Sequence, residues 1–130
     1  MKAEELRIGN FLRAKKDYHN QFHGNGIVSS IEQTKFVILD HYPGKWFEPI
    51  PLTEEWLLKF GFITWDSKQI YNEWWLNFDG VWKYKIFHSK YTGVETFTMP
   101  HGDKPIKLKS VHQLQNLYFA LTGEELALKP

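Results

Sequence analysis

The chain has 130 residues, the length of one ordinary domain, and its hydrophobic content of 42% with 17% aromatic residues argues against a disordered polymer. It has no cysteine, which excludes disulfides and every zinc or iron–sulfur site built on thiolates. The net charge of +1 gives no global field that favours polyanions, although lysines concentrate in residues 83–109. We therefore expect a single domain over residues 1–130.

The first residues do not have the apolar core of a signal peptide, because Glu4, Glu5 and Arg7 interrupt them. No stretch approaches the roughly 20 apolar residues that span a bilayer. The sequence therefore predicts a cytoplasmic protein without membrane association.

Three short strands are predicted in the N-terminal part of the chain, at residues 11–14, 26–31 and 35–39. They are rich in apolar and β-branched residues, and polar segments with glycine or threonine separate them. The pattern is typical of a small, strongly curled antiparallel sheet or of SH3-like barrel elements, the latter by analogy.

Two helices are predicted, at about residues 53–60 and 111–122. Thr53 is placed as the N-cap of the first helix, and Gly61 ends it. Ser110 and Gln113 have the spacing of a capping box at the start of the second, and Gly123 ends it. Residues 41–51 contain three prolines and are predicted to be a connection. The fold class is therefore α+β.

Four strands are predicted in the middle of the chain, at residues 62–66, 70–77, 81–88 and 95–99. The second and third of these form a long hairpin. The turn sequence NFDG at residues 77–80 favours a bulged turn that pairs Asn77 with Val81. This register predicts one core face, made of Asn72, Trp74, Leu76, Trp82, Tyr84 and Ile86. On the other face it pairs Tyr71 with Phe87, Glu73 with Lys85, and Trp75 with Lys83.

The second face of this hairpin is the predicted binding surface, because exposed rings beside cations can stack on a partner. Its residues are Tyr71, Trp75, Lys83, Lys85 and Phe87. The alternative is that these side chains only form the cross-strand pairs that stabilise a sheet. A second aromatic cluster, in residues 41–47, is predicted to cover the core.

The sequence shows no catalytic residue and predicts no metal or cofactor. His19 and His23 have a four-residue spacing that suits two metal ligands on a helix, but glycines and Asn20 indicate a polar loop. His112, in the first turn of the second helix, is expected to make a local hydrogen bond or to face solvent. No segment has the form of a phosphate loop or a nucleophile elbow.

Three segments share a pattern with known sequences: ELRIGN at residues 5–10, PIPLTEEWLLKFGF at residues 49–62 and VHQLQNLYFALTGEEL at residues 111–126. In this order they resemble a family of small uncharacterised bacterial proteins, often encoded in prophages or other mobile elements. The resemblance implies a cytoplasmic accessory protein and assigns no activity or site residue.

We carry three hypotheses for the function. The first is a non-enzymatic protein-binding or adaptor domain, which acts through a protein partner or self-association. The second is a small nucleic-acid-binding barrel that uses the lysines of residues 81–109 and the N-terminal Arg7, Arg13, Lys15 and Lys16. Its phosphate contacts would weaken steeply as salt rises. The third is an enzyme whose site is assembled only in the fold.

Overall fold

A computed structural model describes residues 3–32, 35–65, 71–78, 80–91, 95–100 and 103–129. Within these ranges the chain forms nine β-strands and two α-helices, so the predicted α+β class is confirmed. Two compact units divide the chain. The first unit comprises Met1–Pro51 and Ser110–Leu126, and the second comprises Leu52–Lys109 and Ala127–Pro130. That residues 1–130 form a single domain stays a prediction.

The first unit contains a curled antiparallel sheet of five strands. Three of them are the predicted ones, and the other two lie in the segment that was expected to be a connection. Both unpredicted strands are at the edges of the sheet and contain a proline, which lacks the N–H of an inner strand. In the spatial order β4-β3-β2-β1-β5, the strands are β1 (Phe11–Ala14), β2 (Asn25–Glu32), β3 (Lys35–Ile38), β4 (Tyr42–Pro43) and β5 (Phe47–Pro49).

The core of the first unit is formed by apolar side chains of these strands and of the preceding segment: Leu6, Leu12, Ala14, Val28, Ile38 and Phe47 are all buried. Tyr42 and Trp46 pack against this cluster and are themselves partly buried. The prediction that the aromatic residues of segment 41–47 cover the core is therefore confirmed.

The later helix of the chain also belongs to the first unit, where it holds the segment before β1. It spans Val111–Thr122, with the predicted capping box at its start and Gly123 as its left-handed C-cap. The buried Gln115 side chain hydrogen-bonds to the backbone at the start of β1, as a neighbouring strand would. Its Oε1 accepts from the Phe11 N–H at 2.8 Å, and its Nε2 donates to the Gly9 carbonyl at 3.1 Å. The first and third segments of the family resemblance are thus joined by hydrogen bonds.

The second unit begins with the earlier helix, which we call α1 (Glu54–Lys59); the later one is α2. The predicted N-cap is confirmed, since the Thr53 hydroxyl accepts from the Trp56 N–H at 3.4 Å. Gly61 follows the helix at a φ of 92°, which a residue without a Cβ adopts readily.

The sheet of the second unit has four antiparallel strands in the order β6-β7-β8-β9. They are β6 (Tyr71–Phe78), β7 (Val81–Ser89), β8 (Thr96–Met99) and β9 (Ile106–Leu108), of which only β9 was not predicted. Over its described part, the predicted strand at residues 62–66 is reduced to one bridge between Ile63 and Trp75.

The predicted register of the hairpin is wrong, by one residue next to the turn and by two residues beyond the bulge. Phe78 pairs with Val81, so the turn is shorter than expected, and a β-bulge in β7 inserts Lys83 between the pairs Asn77–Trp82 and Leu76–Tyr84. The bulge restores the alternation that a two-residue turn alone would break, which is why the hydrophobic pattern did not distinguish the two solutions.

The bulge also changes the membership of the core face. Asn72, Trp74, Leu76 and Ile86 are buried, as predicted. Trp82 was expected on that face but lies opposite Asn77 and is 42% exposed, with its ring against that of Trp65 at 5.9 Å. This expectation was wrong because it rested on pairing Trp82 with Leu76.

Among the residues that the structure describes, neither helix is long and apolar enough to cross a membrane.

Candidate functional site: an aromatic sheet face and a buried histidine

Strand alternation brings most of the predicted binding residues onto the open face of β6 and β7. In the observed register Trp75 lies opposite Lys85, and Glu73 lies opposite Phe87. The Lys85 ammonium is 5.1 Å from the Trp75 ring centroid and 4.6 Å from that of Phe87. We call Tyr71, Glu73, Trp75, Lys85 and Phe87 the hairpin face.

Two of the predicted residues lie apart from this contact group. Tyr71 is at the end of β6, where its ring stacks on that of Tyr91 at 6.3 Å, and both rings are about 60% exposed. Lys83 is the bulge residue, and its ammonium lies 5.7 Å from the ring centroid of its neighbour Tyr84. The expected pairing of Lys83 with Trp75 was therefore wrong, and Lys85 takes that place.

The charge of Lys85 is balanced within the hairpin face. Its ammonium is 4.0 Å from one carboxylate oxygen of Glu73, and the other oxygen accepts from the Trp75 Nε1–H at 3.2 Å. These groups are partly exposed, so the pair contributes at most about 1 kcal/mol to stability. Its main effect is to hold the indole and the ammonium together without a net positive charge.

The backbone beneath Trp75 is fixed from both sides. On one side it pairs with Lys85, and on the other the N–H and carbonyl of Trp75 exchange hydrogen bonds of 2.8 and 2.9 Å with Ile63. Because the backbone of Trp75 is already ordered, little backbone conformational entropy is lost when a partner covers the ring, which reduces the entropic cost of binding.

A shallow pocket of about 360 Å³ lies against this face. Its lining combines the rings of Tyr71 and Phe87 with hydroxyl groups from β7 and β8, contributed by Ser89, Thr96 and Thr98. Aromatic side chains are enriched at the centre of protein contacts, and the rim of such contacts is polar.

A second constellation, which the sequence analysis missed, surrounds His88 on the buried face of β7. The imidazole side chain is fully buried and stacks on the Phe97 ring at 4.5 Å. Its Nδ1 lies 3.1 Å from the Asn72 side-chain oxygen and 3.3 Å from a Glu54 carboxylate oxygen, and its Nε2 lies 3.3 Å from a Glu95 oxygen.

A cation already contacts this group. The Lys90 ammonium is 2.7 Å from the same Glu54 oxygen, and this hydrogen bond raises the pKa of Lys90 above its ordinary value. The sequence carried one signal for the cluster, because His88 and Asn72 both occupy inward-facing positions of their strands, where a polar side chain needs a partner. The glutamates come from distant positions and gave no such signal.

The other histidines weighed from the sequence lie elsewhere. The rings of His19 and His23 meet edge to face at 4.5 Å, and the Nε2 of His19 lies 3.2 Å from the Ala14 carbonyl. His112 is buried with its Nδ1 3.2 Å from the Ser110 hydroxyl, which confirms the local hydrogen bond. Burial lowers the pKa of His112 by disfavouring the charged ring.

Comparison of the chain with protein-family profiles, with curated proteins and with solved structures finds no match. The resemblance of its three segments to prophage-associated proteins stays a prediction.

Proposed function

We propose that this chain is a non-enzymatic protein-binding module, an adaptor of the kind found among accessory proteins of phages and mobile elements. It binds its protein partner through the hairpin face. The observation that supports this most directly is the group formed by Trp75, Lys85 and Phe87, an aromatic anchor beside a pocket, held on a fixed backbone.

The charge balance of this face favours a protein over a nucleic acid. Phosphate contacts need cations that are free to neutralise the backbone, and these contribute most of non-specific affinity. Lys85 is balanced by Glu73, whereas the bulge places the exposed Lys83 beside its own neighbour Tyr84, away from Trp75. The nucleic-acid hypothesis therefore loses Lys85, the lysine that lies among the rings of the hairpin face.

Site-specific photo-crosslinking tests the proposal. A photoreactive phenylalanine analogue replaces Phe87 in one protein and Leu58 in a control; Leu58 is 58% exposed on α1, outside the hairpin face. Irradiation of cells that express the gene is expected to give discrete protein adducts at position 87, including a dimer if the partner is a second copy. The control position is expected to give none.

A second substitution links the adducts to the face. Trp75→Ala is expected to remove the adducts formed at position 87 while shifting the melting temperature by only a few degrees, because the ring is half-buried. Equal adducts at positions 58 and 87, or adducts only to nucleic acid, would contradict the proposal. A large loss of stability in Trp75→Ala would show that this ring is part of the core.

A further inference from the structure

Three metal-ligating side chains converge around His88. One ligand atom from each of Glu54, His88 and Glu95 lies within 4.8 Å of the other two. They come from three places in the second unit: the first turn of α1, the middle of the sheet and the residue before β8. The fold, not a local sequence motif, assembles them.

For either ring nitrogen of His88, one carboxylate already lies at the distance expected between two ligands of one ion. Oxygen and nitrogen ligands lie about 2.0–2.2 Å from Zn²⁺, so two of them at a tetrahedral angle are roughly 3.4 Å apart. The Glu95 oxygen is 3.3 Å from Nε2 of His88, and the Glu54 oxygen is 3.3 Å from Nδ1, the other ring nitrogen. Because one ion binds only one of these nitrogens, the carboxylate that faces the other nitrogen has to shift toward the ion, across a ligand-atom separation of at most 4.8 Å.

The surroundings also suit a cation. Two carboxylates and one ammonium surround the fully buried imidazole, and these three charged groups sum to one negative charge. Asn72 can accept a hydrogen bond from one ring nitrogen, the outer contact that commonly orients a histidine ligand. Glu95 is 47% exposed, so an ion has a path from solvent and keeps a position for water.

We propose that Glu54, His88 and Glu95 bind a divalent cation of the zinc class, and that Lys90 releases Glu54 when the ion enters. Lys90 is 39% exposed and can move its ammonium into solvent. It acts as a resident counter-ion that competes with the metal for Glu54. This metal site is inferred without using the proposed protein-binding role of the hairpin face.

Metal titration of the untagged, chelator-treated protein tests this. Calorimetry with ZnCl₂ is expected to give one equivalent bound, and CoCl₂ is expected to give visible absorption bands. Glu95→Gln, which keeps the shape of a half-exposed side chain, is expected to weaken binding at least about tenfold, since it replaces a charged ligand. Glu54→Gln is expected to do the same, and it provides a second variant that leaves the buried imidazole in place.

Two further variants distinguish a metal site from a purely structural cluster of ion pairs. Lys90→Gln is expected to tighten zinc binding severalfold, because it removes the competing cation; a structural cluster would gain nothing from this change. His23→Ala is the control, since the adjacent rings of His19 and His23 could also bind zinc, and it is expected to leave binding at the proposed site unchanged. Absence of zinc binding, or binding that His23→Ala abolishes and Glu95→Gln does not alter, would overturn the proposal.

Discussion

Gln115 offers a sharp test of how the first unit is held together. The side chain is 1% exposed and makes two hydrogen bonds to the backbone at the start of β1, one as acceptor and one as donor. Gln115→Leu keeps a similar volume but leaves the Phe11 N–H and the Gly9 carbonyl without this partner. An unsatisfied buried group costs about 1–3 kcal/mol; both of these groups are only partly buried, so the lower part of that range applies to each and the free energy of unfolding should fall by about 2–4 kcal/mol.

Gln115→Glu distinguishes the contributions of the two hydrogen bonds, because it keeps the acceptor and removes the donor. A carboxylate still accepts from the Phe11 N–H, but its second oxygen faces the Gly9 carbonyl, where no proton lies between two acceptors. The repulsion and the burial raise the pKa of the substituted carboxyl in the folded state. The folded state then holds its proton more tightly than the unfolded state, so stability decreases as pH rises above about 4.3. The deficit relative to the natural protein is expected to be largest at neutral pH and to shrink as pH falls.

Thermal unfolding followed by circular dichroism, at several pH values, measures both effects. A loss of about 2–4 kcal/mol corresponds to roughly 8–15 °C in a chain of this size. Gln113→Glu is the matched control two residues earlier in α2: its Oε1 accepts from the Ser110 N–H at 3.2 Å, and a carboxylate performs that role equally well. Equal effects of Gln113→Glu and Gln115→Glu, or a Gln115→Glu deficit that does not change with pH, would refute the reasoning.

Two further substitutions test the packing of the first unit. Because burial lowers the pKa of His112, the unfolded state takes up a proton first as pH falls, and stability is lost below about pH 6.5. His112→Gln is therefore expected to reduce the difference in unfolding free energy between pH 8 and pH 5.5. An unchanged difference would show that other groups cause the pH dependence. Gly26→Ala is expected to cost about 1–3 kcal/mol in denaturant unfolding, because the added Cβ would lie 2.2 Å from a methyl of the buried Ile38. Ile38→Ala in the same chain should reduce that cost, whereas strict additivity of the two changes would show that they do not collide.

The features that were predictable from the sequence are those set by neighbouring residues. Thr53 and Gly61 bound α1, and Ser110 and Gly123 bound α2, because capping depends on residues within one turn. Alternation identified the buried positions of β6. The same alternation could not fix the register, since the bulge at Lys83 gives an equally good separation of polar and apolar residues.

The candidate sites, too, were predictable only where neighbouring residues in the sequence determine them. Tyr71 and Trp75 share a face of β6, and Lys85 and Phe87 share a face of β7, because strand residues two apart always do, so part of the hairpin face followed from the sequence. The pairing of Lys85 with Trp75 did not, because it depends on the register. The cluster around His88 depends on α1 and on the segment before β8, and no spacing in the sequence records that these meet.

The division of the first unit into two stretches of sequence has a consequence for the order in which the protein forms during synthesis. Gln115 binds the Gly9 carbonyl across 106 residues, so the segment before β1 leaves the ribosome long before its helix does. The second unit lies almost entirely in the continuous stretch Leu52–Lys109. Domains generally fold as units while synthesis proceeds, so the second unit is able to fold before the first. The first unit cannot complete its fold, and the start of β1 stays uncovered, until α2 has been made.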